Sequence, residues 1–200
     1  MRKKSKSNKR PFYPVNSPNI TKKDMDSVNQ VIKSGWISSD GPEIKKFEEN
    51  FSRFIGRKYS VAVSSGTAAL EIAIKALNIK ENDEVLIPNF TIISNALAVI
   101  KQRLKPVLID CNLKDWNIKI EDIEKNISKK TKAIIITHIY SFPNEMHKIL
   151  KICKKYNLLI IEDAAEVLGI KTKNTYISKT SAHSIFIFYT QDFCCIFYNK

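Results

Sequence analysis

From residue 59 onward the chain alternates short apolar runs with longer amphipathic stretches. The runs at 59–63, 84–87, 106–109, 133–137 and 158–161 are rich in Val, Ile and Leu and bounded by polar or turn residues. That pattern predicts buried strands. Most are separated by helix-length segments at 67–77, 92–101, 120–127 and 145–156. Strands alternating with helices imply βαβ units and a largely parallel sheet covered on both faces. Before this region, Thr21 reads as the cap of a helix whose apolar stripe is Met25, Val28, Val31 and Ile32, ending near Ser34 and Gly35. A second helical spacing over 43–55 carries Ile44, Phe47, Phe51 and Phe54 and is closed by Gly56. The three phenylalanines read as a core stripe, and Trp36 as a core or interface aromatic.

Composition adjusts this picture at the ends. Two hundred residues with 44% hydrophobic content suffice for one domain with a proper core. The formal charge of +13 is unevenly placed. Arg2, Lys3, Lys4, Lys6, Lys9 and Arg10 crowd the start, so residues 1–15 read as a basic disordered arm. A solvated tail is the favoured reading of that arm over attraction to nucleic acid or a membrane surface. No apolar run reaches the roughly 18–20 residues of a membrane helix. Cys111, Cys153, Cys194 and Cys195 lack zinc or redox spacing, and His138, His147 and His183 lack ligand spacing. Neither metal nor membrane is therefore expected, and a cytoplasmic location is the default.

The candidate chemistry lies just after predicted strands, where ligands of open α/β sheets gather. Ser64-Ser65-Gly66-Thr67 follows the first strand and opens a helix. Gly66 can take a conformation other residues avoid and lets a ligand approach the backbone. The N–H groups that follow it would face an anion at a helix N-terminus. An ordinary capped helix is the alternative, and no P-loop or G-x-G-x-x-G segment is present. Asp163 ends an aliphatic strand, where a carboxylate is costly unless paired or used. It suits the pyridine nitrogen of pyridoxal phosphate, and equally a helix cap or a metal or ribose ligand. Glu166 could reach that cofactor's phenolic oxygen or face solvent. His138 and Tyr140, ending another strand, read as structural.

These segments together resemble the sugar-nucleotide aminotransferases of the DegT/DnrJ/StrS type, and most of all their perosamine-synthase branch. The matching stretches are Ser34-Gly35-Trp36-Ile37-Ser38-Ser39, residues 64–70, Asp83 to Pro88 with Phe90-Thr91, His138-Ile139-Tyr140 with Pro143 and Met146, and residues 161–166 with Gly169. The resemblance runs from about Asn16 to Lys171. It implies the aspartate aminotransferase-like fold (fold type I), with residues 16–190 as an incomplete large domain in an α/β/α sandwich and the small C-terminal domain missing. It also implies pyridoxal 5'-phosphate as cofactor, a homodimer, and amino transfer from glutamate to a 4-keto-6-deoxy sugar nucleotide. By position, Gly66 and Thr67 match the phosphate turn, Asp163 the partner of the pyridine nitrogen, and Glu166 the neighbour of the phenolic oxygen. Ile92 stands where many members carry an aromatic over the ring, and Ser141 replaces a usual glycine.

The resemblance lapses beyond Lys173. Aligning residues 184–189 with the family's Phe-Ser-Phe-like strand puts Ile187 at its serine and Asp192 at the lysine that joins the cofactor as a Schiff base. An aspartate cannot form that bond. Residues 191–200 read as a diverged tail, and the expectation is a truncated, inactive chain with no catalytic residue in place. Two other readings stay open. One is a non-catalytic α/β binding or interaction module. The other is a pyridoxal-phosphate sugar dehydratase, in which relatives put histidine at the lysine position.

Overall fold

The computed structural model describes residues 19–172, 175–176, 184–189 and 194–198. Residues up to Pro42 form one compact unit and those from Glu43 another. The first holds helix α1 (Lys22–Ser34). Thr21 and Asp24 cap it reciprocally, Thr21 N–H donating to Asp24 Oδ2 at 2.8 Å, and Gly35 closes it with φ +75°. Met25, Val28 and Ile32 lie on its surface, all more than half exposed, and Trp36 is 55% exposed rather than in a core.

The second unit is built around a seven-stranded sheet. In chain order its strands are β1 (Tyr59–Val63), β2 (Glu84–Pro88), β3 (Lys105–Ile109), β4 (Thr131–Thr137), β5 (Leu159–Asp163), β8 (Ser184–Tyr189) and β9 (Cys194–Tyr198). Two residue pairs, β6 (Lys171–Thr172) and β7 (Thr175–Tyr176), form a separate small hairpin. The spatial order is β1-β9-β8-β5-β4-β2-β3, parallel throughout except for β9. Helices α2 (Pro42–Ile55), α3 (Gly66–Ala76), α4 (Ser94–Lys101), α5 (Ile120–Ile123, continued by a 3-10 turn at Glu124–Asn126) and α6 (Met146–Tyr156) complete it.

Strand side chains alternate between two cores, as the period of two demands. Val85, Ile87, Ala133, Ile135 and Ile161 pack on Ala69, Leu70, Ala73 and Ile74 of α3 and Ala98 and Val99 of α4. Leu86, Ile134, Ile136 and Ile160 face the other way, onto Ile123 of α5 and Met146, Ile149 and Cys153 of α6. The expected fold-type-I α/β/α sandwich is therefore present. Phe47 and Phe51 of α2 pack against Ile55, Ala164 and Val167, but Phe54 is 46% exposed and extends the stripe to the surface. Strand β1 lies at one edge of the sheet. There Glu48 of α2 accepts the Ala62 N–H at 2.8 Å, blunting that edge.

Strand β9 was not foreseen in the sequence. Its five residues pair antiparallel with both β1 (Val63↔Cys194) and β8 (Tyr189↔Cys194). A strand ladder is made by main-chain groups, so it can form where no side-chain motif announces it. Residues 1–15, Lys173, Lys179, His183 and Asp192 lie outside the described residues. Among the described residues no helix is long and apolar enough to cross a membrane, and no three His, Cys, Asp or Glu side chains gather as metal ligands do.

Candidate active site

The carboxyl ends of β1 and β5 open on one pocket of about 250 Å³, lined by Ser65, Gly66, Thr67, Leu70, Ile92, Ser94, Asp163 and Ala165. Four of the five sequence candidates, Gly66, Thr67, Ile92 and Asp163, thus come together. They are separated by nearly a hundred residues of chain and joined by sheet topology.

One pole is the start of α3. Ser65 is its N-cap; its Oγ accepts the Ala68 N–H at 3.1 Å, and its carbonyl accepts the Ala69 N–H at 3.0 Å. Among the described residues nothing accepts from the N–H groups of Gly66 and Thr67. Two unpaired donors at a helix N-terminus favour an anion. Gly66 has no positive φ, so left-handed freedom is not its reason for being there. What remains is the close backbone approach that a missing side chain allows. Thr67 Oγ1 and Ser94 Oγ share a hydrogen bond of 2.9 Å, tying the starts of α3 and α4 together.

The other pole is Asp163, the last residue of β5 and only 4% exposed. Burial pushes its carboxyl above the ordinary range; the Ala165 N–H and the Asn95 amide pull it down, and Glu166 pushes it up. The Ala165 N–H donates to Oδ1 at 3.2 Å. Leu70 and Ile92 supply apolar wall between the poles, although Ile92 is 62% exposed at the opening.

Glu166 is not among the lining residues. Its Oε2 accepts the Tyr140 N–H, and its carbonyl accepts the Ser141 hydroxyl at 3.0 Å. Tyr140 and Ser141 have φ of +45° and +68°. Left-handed backbone at Ser141 is the physical reason a glycine suits that position. The serine hydroxyl's bond to Glu166 compensates in part.

Sequence reasoning named His138 as structural but missed its partners and the buried amide behind the pocket. His138 and Glu162 are fully buried on the α5/α6 face, with Nε2 3.0 Å from Glu162 Oε1. His138 Nδ1 accepts the Asn144 N–H at 3.0 Å, so the ring proton sits on Nε2 and is donated to Glu162. Buried Arg57 supplies opposite charge to Glu162, while burial lowers its own pKa. On the α3/α4 face, Asn95 is fully buried beside Thr91 and Thr137. The available signal was a polar residue at 95 on the same helical face as Ala98 and Val99, since a polar group in an apolar stripe is rarely idle.

A largely parallel sheet covered by helices on both faces, with a pocket at the carboxyl ends of β1 and β5, defines the class of the fold, that of the fold-type-I transferases. The chain belongs to the DegT/DnrJ/EryC1/StrS aminotransferase family, whose profile matches residues 18–197. The match continues past Lys171, where the resemblance in sequence had lapsed, and takes in β8 and most of β9. GDP-perosamine synthase of Escherichia coli O157:H7 is 39% identical over 178 residues, which are 89% of this chain and 49% of that protein. An aminotransferase from Psychrobacter cryohalolentis superposes with a TM-score of 0.83 at 29% identity, over 95% of this chain and 50% of that one. The E. coli GDP-4-keto-6-deoxy-D-mannose-3-dehydratase with bound hydrated PLP shares the fold, with TM-score 0.85 and 24% identity over 94% and 51% of the two chains. The chain spans about half the length of the curated relatives it matches.

Proposed function

We propose that the pocket binds pyridoxal 5'-phosphate and that the activity of the whole protein is amino transfer from glutamate to a 4-keto-6-deoxy sugar nucleotide, as in perosamine biosynthesis. A cytoplasmic homodimer belongs to the same reading. The observation that carries it is the convergence of the unpaired Gly66 and Thr67 N–H groups and the Asp163 carboxylate on one pocket. The residues fit the cofactor at both ends: donors for a phosphate, and an acceptor for a protonated ring nitrogen. When bound, the cofactor supplies an electron sink for the carbon that gains or loses the amino group.

The chain's own residues do the rest. The Gly66 and Thr67 N–H groups hold the phosphate in the field of the α3 N-terminus. Asp163 keeps the ring-nitrogen proton in place. Leu70 and Ile92 exclude water from the ring faces, Ile92 with less stacking than an aromatic. Glu166, held by the 140–141 turn and outside the pocket lining, would neighbour the phenolic oxygen by its family position alone. Asp192 takes the aligned place of the lysine, so in this chain the cofactor is held without a covalent bond and amino transfer is lost.

Titration with pyridoxal phosphate, followed by absorbance and protein fluorescence, tests this. Saturable binding is expected, weakened at least about tenfold by Asp163→Ala, as for loss of a charged hydrogen bond. Borohydride should leave no protein adduct. Absence of saturable binding would overturn the cofactor assignment, and an adduct trapped on Lys171, Lys173 or Lys179 would overturn the non-covalent one.

A further inference from the structure

Thr67 and Ser94 both line the pocket, and their hydroxyls lie 2.9 Å apart. Thr67 is the second residue of α3 and Ser94 the first of α4, so one hydrogen bond joins the openings of two helices. Among the described residues neither hydroxyl has another partner. The Ser65 hydroxyl, by contrast, is occupied in capping α3. Helix α4 has an isoleucine, Ile93, at its N-cap and no side-chain cap at all, so Ser94 is not spent on its own helix. A hydroxyl carries one proton and two acceptor sites. The mutual bond uses one proton of the pair and leaves the other free, and by itself the pair can be oriented either way. An anion at the start of α3 removes that ambiguity. A phosphate dianion only accepts, and the Thr67 N–H already faces it. With the Thr67 proton turned to the same anion, Thr67 Oγ1 is left to accept from Ser94. A hydroxyl that accepts a hydrogen bond is also a stronger donor.

We propose that Ser94 is a positioning residue for the Thr67 hydroxyl: it donates to Thr67 Oγ1 and so aims the Thr67 proton at a phosphate held by the start of α3. That the phosphate belongs to the cofactor rests on the proposed function; the hydroxyl pair and its direction under an anion do not. Helix α4 thereby takes part in holding the ligand without touching it.

Ser94→Ala tests this, because it removes one oxygen and puts a better helix former at the start of α4. Pyridoxine 5'-phosphate and pyridoxine differ only in the phosphate, and neither carries the aldehyde that surface lysines attack. Followed by ligand fluorescence, pyridoxine 5'-phosphate should bind the variant about three- to tenfold more weakly than the parent, as for loss of one neutral hydrogen bond. Pyridoxine should bind both alike, and Ser94→Thr should restore the parent affinity. In a Thr67→Val background Ser94→Ala should cost nothing more, since Ser94 acts only through the Thr67 hydroxyl. Unchanged affinity in Ser94→Ala, or equal weakening toward both ligands, would overturn the proposal. A further loss in the Thr67→Val background would overturn it too, by showing that Ser94 meets the phosphate directly. Failure of the parent to bind pyridoxine 5'-phosphate would sink the cofactor reading, and inorganic phosphate then serves as the probe. Gly66 and Thr67 amide NMR shifts that saturate in the parent, and need about threefold more phosphate in Ser94→Ala, would leave the role of Ser94 standing. No response of those amides in the parent would overturn it as well.

Discussion

Asp163 holds its position at a cost to the fold. Its pKa is raised in the folded chain chiefly by burial, so the folded state takes up the proton more readily than the unfolded one. The destabilisation is absent below the unfolded carboxyl value of about 3.9 and grows until pH has passed the folded value. Asp163→Asn, which keeps the shape and removes the charge, is expected to raise the melting temperature of cofactor-free protein at pH 7 by about 2–4 °C or more. The gain should shrink on acidification toward pH 4, while affinity for the cofactor falls. Thermal unfolding across a pH series checks this; a gain independent of pH would mean that charge burial is not its source. Asp163 was legible in the sequence because, after Leu158–Ile161 and Glu162, a carboxylate ending a buried aliphatic strand is conspicuous. Asn95 was not, because Ser94-Asn95-Ala96 reads like any helix start until Thr91 and Thr137 are brought against it.

At the scale of elements, the five apolar runs from 59 to 161 became β1 to β5 within a few residues; the central strands β2 and β4 are buried on both faces and leave a continuous aliphatic signature, while β1 and β3 are partly exposed. Two helix boundaries differ: α4 starts at Ser94 rather than Ile92, where Thr91 and Ile92 are engaged by the buried threonine pair and the pocket, and α5 ends at Ile123 and runs on as a 3-10 turn rather than to residue 127. Strand β9 escaped notice because its role is fixed by main-chain pairing. Burial on both faces has a measurable consequence. Ile134→Ala and Ile135→Ala point to opposite cores, both are fully buried, and each should cost about 2–5 kcal/mol in denaturant unfolding. On edge strand β3, Leu108 is 61% exposed and its replacement by Ala should stay within about 0.5 kcal/mol. A low cost at Ile134 alone would show that the α5/α6 layer is not packed against the sheet.

For the molecule as a whole, the dominant electrostatic fact is the excess of 33 Lys and Arg over 20 Asp and Glu. Exposed pairs such as Lys155–Glu124 and Arg103–Glu81 contribute only about 0–1 kcal/mol each and weaken with salt. Unpaired like charges repel, and that repulsion is screened as the Debye length shortens from about 30 Å at 0.01 M to about 8 Å at 0.15 M. The excess should win, so the melting temperature is expected to rise over that range of sodium chloride; a fall would mean that ion pairs outweigh repulsion. The place of β9 in the sheet bears on how the protein is made. Strand β1 leaves the ribosome early, yet its sole ladder partner among the described strands, Cys194–Tyr198, is translated last of them. A nascent chain therefore keeps β1 without a ladder partner until β9 has been made, although α3, which follows β1, can already pack on β2, β4 and β5.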